Sequence, residues 1–288
     1  MCKVLQIAPS GYRCHAARQR KPELRCARAK RDEMLATEIQ TVWQANMQVY
    51  GADKVWHQMN REGTKVARCT VERLMKRLGL QGVRRGKVIR TTIPDKAAPC
   101  PLDRVNRQFK ADRPNQLWVS DFTYVSTWQG WQYVAFVIDV FARRIVGWRV
   151  SSSMRTDFVL DALEQALFDR QPERSDALIH HSDRGSQYVS ILYTERLAEA
   201  GIEPSVGSRG DSYDNALAET INGLYKAELI HRRAPWKTKE ALELATLEWV
   251  AWFNHHRLLG SIGYIPPAEA EANYYRQLAG KNETEVST

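Results

Sequence analysis

Three carboxylates in this chain occupy places where an ordinary surface acid would not. Asp121 interrupts the apolar and aromatic run LWVSDFTYV at residues 117–125. A charge buried in such a strand is costly unless it is paired or meets a cation. Asp183 follows the apolar stretch ALIHH within HHSDRGSQY, where a strand end meets a glycine-containing loop. Glu219 lies in DNALAETINGLYKAEL, on the helical face shared with Asn222, Gly223 and Lys226. Between Asp183 and Glu219 stand 35 residues. Clustered carboxylates suit Mg²⁺, a hard cation that prefers oxygen ligands, with Mn²⁺ as a possible substitute. Two such ions about 4 Å apart activate an attacking hydroxyl and stabilise the leaving oxygen of an in-line displacement at phosphorus. Asp121, Asp183 and Glu219 are therefore the candidate catalytic and metal-binding residues, although each alone is also readable as a surface acid. The pairs His180–His181 and His255–His256 read as structural rather than catalytic. Ser120, Ser182 and Ser186 assemble no Ser-His-Asp arrangement.

The elements that must position these acids form a mixed α/β pattern. Strands are predicted over 117–125, 131–139 and 144–150, with short links that imply an antiparallel meander. An amphipathic helix over 156–170 follows, then a buried strand over 177–181 and a helix across 189–200. A short strand over 202–206 precedes a final helix, capped by Tyr213-Asp214-Asn215 and running to about Leu229. The order β-β-β-α-β-α-β-α predicts a mixed sheet with helices packed on it. Trp236, Trp249, Trp252 and Phe253 are expected to hold a C-terminal helix through one apolar face.

Charge divides the chain differently. The total is 42 Lys and Arg against 33 Asp and Glu, a net of +9. Residues 1–100 hold 21 basic and 8 acidic side chains, and the remainder 21 and 25. A strongly basic first third joined to a mildly acidic remainder points to a polyanionic partner for the former. Apolar residues recur at helical spacing in 34–50, in 52–63 and again in 67–79. Two short helices around a glycine-containing turn, the second carrying Arg68, Arg73, Lys76 and Arg77, fit helix-turn-helix geometry as well as an ordinary helical hairpin. Residues 84–114 are basic and proline-containing with little periodicity. This stretch reads as a linker whose Arg84, Arg85 and Lys87 could follow a phosphate backbone.

Other classes are excluded or disfavoured. Five cysteines without a Cys-x-x-Cys pair argue against a zinc site or a disulfide framework. The longest apolar stretch, 133–140, is too short to span a bilayer and contains Asp139. No signal peptide is read at the N-terminus, so a cytoplasmic, nucleoid-associated location is expected.

The motifs WVSDFTYV, HHSDRGSQY and GDSYDNALAETINGLYKAE resemble those of the insertion sequence 3 family of transposases, second reading frame. That family is similar to retroviral integrases and shares their Asp, Asp, 35-residue, Glu signature. WFNHHRLLGSIGYIPPAEA resembles the family's closing motif, Asn-x-x-Arg followed by Gly-Tyr and a proline pair. The resemblance covers nearly the whole chain. It implies a ribonuclease-H-like core, a mixed five-stranded sheet with flanking helices, preceded by a helix-turn-helix region. It also implies a metal-binding triad of Asp121, Asp183 and Glu219, and a Lys226 that contacts the DNA end.

The domains expected are a DNA-binding region over 1–83, a linker over 84–114, a catalytic core over 115–232 and a C-terminal helical extension over 233–288. The implied activity is strand cleavage and strand transfer on terminal inverted repeats and target DNA. A homo-oligomer on DNA, and the upstream reading-frame protein of the same element, are the implied partners. A catalytically incomplete DNA-binding regulator or remnant that occupies ends without cutting them and needs its upstream partner, and a nuclease that only hydrolyses, are the alternatives.

Overall fold

A computed structural model describes residue 4 and residues 8–86, 110–173, 177–183, 185, 187–206 and 215–286. The chain divides into two compact units, residues 1–83 and 84–288.

The first unit is helical: α1 (Pro9–Arg20), α2 (Ala27–Ala45), α3 (Ala52–Arg61) and α4 (Arg68–Leu78). Leu35, Ile39 and Val42 of α2 meet Val55 and Met59 of α3 and Val71, Leu74 and Met75 of α4 in a small core. These positions follow the 3.6-residue period, which is why the sequence revealed them. Gly63, at φ +96°, and Gly79, at φ +70°, end α3 and α4 in left-handed conformations that a side chain would disfavour. Two features escaped the sequence reading. Helix α1 buries nothing, and α2 begins at Ala27, well before Met34. Their polar stretches form helix from good helix formers such as Ala, Arg and Lys, without an apolar stripe to announce them.

The second unit carries a five-stranded sheet in the order β3-β2-β1-β4-β5. Its strands are β1 (Leu117–Thr127), β2 (Gly130–Asp139), β3 (Arg144–Ser151), β4 (Ile179–Ser182) and β5 (Glu203–Val206). The first three form the expected antiparallel meander, while β4 and β5 join β1 in parallel. One face is covered by α5 (Thr156–Arg170) and α6 (Ile191–Glu199), around a core that includes Trp118, Ala135, Val137, Phe158, Leu163 and Tyr193. Alternation along β2 sends Phe136 to the opposite face. There it meets Tyr225 at 5.1 Å and Trp249 at 6.0 Å between ring centroids. These aromatics belong to α7 (Ala216–Tyr225) and α9 (Lys239–His255). Gly147 lets α5 lie close on β3: a Cβ there would stand 2.1 Å from the carbonyl oxygen of Ala162.

Helix α7 does not end as an ordinary helix. It passes into a π-helical segment, Lys226–Ile230, and a final turn, α8 (His231–Arg233). The wider turn buries Ala227, Glu228, Leu229 and Ile230 in succession. Helix α10 (Pro267–Val286) returns through Glu271, which pairs with Arg144 and Arg170.

Candidate active site

In an open sheet with parallel strands, ligands gather outside the strands' carboxyl ends. The pairing of β1 with β4 stops at Ser120 and Ser182, and the two aspartates come one residue after these ends. Asp121 and Asp183 thus leave neighbouring parallel strands side by side. Alternation turns Asp121 toward α7, where its Oδ2 accepts from Asn222 Nδ2 at 2.9 Å and its Oδ1 accepts from the backbone N–H of Phe122 at 2.8 Å. Asp183 Oδ1 accepts from the Gly185 amide at 3.1 Å. Asn215 was expected only as a helix cap. It holds the N-cap position of α7 but turns its side chain inward, donating to the Ser120 carbonyl at 2.8 Å. Tyr213 and Asp214, the other expected caps, lie outside the described residues. Two amides therefore fix α7 along β1.

Burial pushes the Asp121 carboxyl well above the usual carboxylate range, the charge of Asp183 raises it further, and Glu219 adds to the rise. Asp183 is raised as well, chiefly by burial. Glu219 is exposed, in the first turn of α7. Asp121 thus feels the charge of both other acids, and Asp121 and Asp183 are each desolvated. Among the described residues, however, no three His, Cys, Asp or Glu side chains lie close enough together to hold a metal ion. The surroundings still match the needs of a cation. Asn222 Oδ1 and Tyr188 Oη are buried without hydrogen-bond partners, and the Tyr188 phenol is pushed up first by burial, then by Tyr193 and the charges of Asp121 and Asp183. Negative charge and unsatisfied oxygens at the carboxyl edge of the β1–β4 pair suit a divalent ion better than they suit one another. A separate apolar cleft of about 290 Å³, lined by Leu217, Thr220 and Leu224 of α7 together with Phe253 and Leu259, includes none of the three acids.

The histidines of β4 support this edge from within. His180 Nε2 lies 2.7 Å from Ser120 Oγ and 3.1 Å from Tyr193 Oη, and His181 Nδ1 lies 2.9 Å from Ser205 Oγ. Burial, aided by the neighbouring His181, pushes the His180 imidazole down to about 3. The folded protein therefore keeps His180 neutral while the unfolded chain protonates it below about 6.5. Stability is lost as pH falls from about 6.5 toward 3, by up to about 1.4 kcal/mol per pH unit. His180→Gln is expected to flatten the slope of unfolding free energy between pH 6.5 and 5, measured in urea with chelator present. An unchanged slope would remove His180 from this role.

The other candidate residues are scattered. Lys226 Nζ sits 4.7 Å above the Tyr124 ring, on the β1 side of the π segment. Arg85 packs its guanidinium against Gly223 of α7, so that a Cβ there would meet it at 2.3 Å. In the first unit, Arg68, Lys76 and Arg77 are exposed on α4. Arg68 approaches Asp53 at 3.8 Å, and Arg73 is tied to Asp32 of α2 at 2.8 Å, where it holds the Asp32 carboxyl below its usual range. Arg73 is thereby a tie between helices. Arg84 is exposed at the start of the second unit, and Lys87 lies outside the described residues. The sequence reading had given Asn215 only a capping task and Tyr188 none. Nothing in their spacing distinguishes them from a cap and a core aromatic.

The chain matches an integrase core domain over residues 111–212, a second integrase core domain model over 200–267 and an HTH-like domain over 30–88. It is 62% identical over 279 residues to the transposase for insertion sequence element IS629 of Shigella sonnei, covering 96% of this chain and 92% of that protein. It is also 62% identical over 173 residues to the transposase for insertion sequence element IS3411 of Escherichia coli, covering 60% of this chain and 71% of that one. Among solved structures, the HTLV-2 integrase catalytic core domain in complex with magnesium is 16% identical, with a TM-score of 0.44, covering 56% of this chain and 98% of that chain.

Proposed function

Because this chain belongs to the insertion sequence 3 family of transposases, with an integrase core and an HTH-like region, we propose that it cleaves DNA at the ends of its own element and joins those ends to new DNA. The observation that carries this reading is the pair of desolvated, mutually repelling aspartates one residue beyond the point where β1 and β4 stop pairing, with Glu219 within electrostatic reach on α7. Asp121, Asp183 and Glu219 would hold Mg²⁺, or Mn²⁺ in its place, which supplies charge neutralisation at the reacting phosphate and a more acidic attacking oxygen. Asn222 orients Asp121 through its amide, and Asn215 fixes the start of α7, so the helix presents Glu219 from a set position. Lys226, held over Tyr124 on the segment that continues α7, supplies a cation for the phosphate backbone of the DNA end.

Hydrolysis of one strand exposes a 3′-hydroxyl. That hydroxyl attacks a second phosphodiester and releases another 3′-hydroxyl. One ester bond forms as one breaks, so neither ATP nor a covalent enzyme intermediate is required. In this reading residues 1–83 recognise the terminal inverted repeats through Arg68, Lys76 and Arg77, and 84–114 lead the chain along DNA with Arg84, Arg85 and Lys87. Residues 115–232 perform the chemistry, and 233–288 buttress it. A homo-oligomer brings two ends together, and the upstream reading-frame protein completes the assembly in the cytoplasm. No helix among the described residues is long and apolar enough to cross a membrane.

The test is a strand-transfer assay with a labelled element-end duplex, Mg²⁺ and the whole chain, alone and with the upstream protein. Joined products from the parent and none from Glu219→Gln are expected. Cleaved but never joined strands would indicate a nuclease. Tight end binding without any product in either arrangement would indicate a regulator.

A further inference from the structure

The β1–β2 hairpin ends in an aromatic surface that the chemistry above does not use. Trp128 is 69% exposed and Trp131 is 56% exposed. Tyr124 and Trp131 lie on one face of the hairpin, edge to face, with centroids 5.2 Å apart and an interplanar angle of 85°. Each end of the row carries a cation: Lys226 Nζ stands 4.7 Å from the Tyr124 centroid, and Lys237 Nζ 5.3 Å from that of Trp128.

The tip is fixed in place. The Trp128 amide donates to the Trp236 carbonyl at 3.0 Å, the Lys239 amide donates to Gln129 Oε1 at 2.9 Å, and Thr127 Oγ1 donates to the Gly130 carbonyl at 2.8 Å. The segment that braces it, residues 231–239, holds Arg232, Arg233, Lys237 and Lys239 and no acidic residue. Arg233 is engaged with Glu248 at 3.2 Å.

A single exposed tryptophan needs no explanation. Two on a rigid hairpin, interleaved with lysines, match the physical needs of unpaired nucleotides. Aromatic rings stack on bases freed from their partners, and the cations track the phosphates. Placement agrees with this occupant. At about 3.3 Å per residue along β1, Tyr124 stands roughly 10 Å and Trp128 roughly 23 Å from Asp121. Tyr124, three residues on from Asp121, faces the other side of the sheet, so a strand leaving the carboxylates reaches the row by passing the side of β1 beyond Ser120, where its pairing with β4 has stopped, within a few nucleotides.

We propose that Tyr124, Trp131 and Trp128, with Lys226 and Lys237, form a stacking ledge for unpaired nucleotides at the cleaved DNA end. The proposal rests on the transposase reading above, and its partner class is single-stranded DNA continuous with a duplex.

The test compares two fluorescent duplexes of the same sequence, one blunt and one with an unpaired tail of about four nucleotides, by anisotropy with the whole chain. The parent is expected to bind the tailed duplex at least tenfold more tightly, as one or two stacked bases require. The Trp128→Ala/Trp131→Ala pair should lose that preference and keep its blunt-duplex affinity, whereas Trp131→Tyr should retain most of it. Equal binding of both duplexes by the parent, or an undiminished preference in the double variant, overturns the ledge while leaving the transposase reading intact. A double variant that changes only its sedimentation mass assigns the surface to a subunit contact and likewise overturns it. Failure of the parent to bind either duplex overturns both readings.

Discussion

Asp121→Asn is expected to lower strand transfer by at least about a thousandfold and, at the same time, to raise the thermal midpoint of the metal-free protein. The first effect follows from the metal chemistry proposed for this site. Neutralisation of the reacting phosphate by a bound ion contributes several kcal/mol, and about 1.4 kcal/mol corresponds to each factor of ten in rate. The second follows from the environment of the carboxylate. Burial and the charges of Asp183 and Glu219 disfavour its ionised form. An acid whose pKa is raised on folding costs stability at pH above that value, and the cost is relieved as pH falls through it. A neutral amide of the same shape removes the cost at neutral pH. It also keeps its hydrogen bonds, because Asn222 Oδ1 is a buried acceptor without a partner and can take the new N–H once the Asn222 amide turns over. For a domain of this size each kcal/mol recovered raises the midpoint by about 2–4 °C. Calorimetry with chelator, beside the strand-transfer assay, reads both effects. Retained joining would remove Asp121 from the chemistry, and a lowered midpoint would show that its carboxylate is structurally required.

The same physics explains what the sequence disclosed. Asp121 was conspicuous because a charge in an apolar strand contradicts its neighbours, and that contradiction is legible without coordinates. The strands and α5 to α7 were legible because their apolar residues keep one period. Helix α1 and the first turns of α2 were not, because they bury no apolar side chain. Arg73 shows the limit of charge patterns. On α4 it is indistinguishable from Lys76 or Arg77 until Asp32, 41 residues away, is found opposite it. Asn215 shows a second limit: a side chain that caps a helix and one that ties it to a strand have the same sequence signature. The π segment had no signal at all, and the partner of its buried Glu228 lies 29 residues away in the sequence.

That partner is Arg257, and Arg257→Ala is expected to destabilise the protein by about 3–5 kcal/mol, lowering the midpoint by on the order of 10 °C. The guanidinium donates to Glu228 through Nε at 3.0 Å and Nη2 at 2.5 Å, and its centre lies 5.5 Å from the Phe253 ring. Both side chains are almost fully enclosed, 4% and 6% exposed. Removing the arginine strands a buried carboxylate, whereas Arg257→Met with Glu228→Gln leaves no buried charge and should recover most of the loss. Arg196→Ala, which breaks an exposed pair with Glu164, should cost no more than about 1 kcal/mol and serves as the control. Three residues earlier, Asn254 accepts the Ile145 amide at 3.0 Å and donates to the Ile145 carbonyl at 2.8 Å. The Asn-x-x-Arg motif thus binds the end of α9 both to β3 and to the π segment that continues α7. Since α7 carries Glu219 and the π segment carries Lys226, strand transfer by Arg257→Ala should fall even at temperatures where the protein remains folded, and the double variant should restore it. Loss of stability with undiminished joining would confine the motif to the core. Parallel loss and recovery would show that the C-terminal segment sets the position of the catalytic helix.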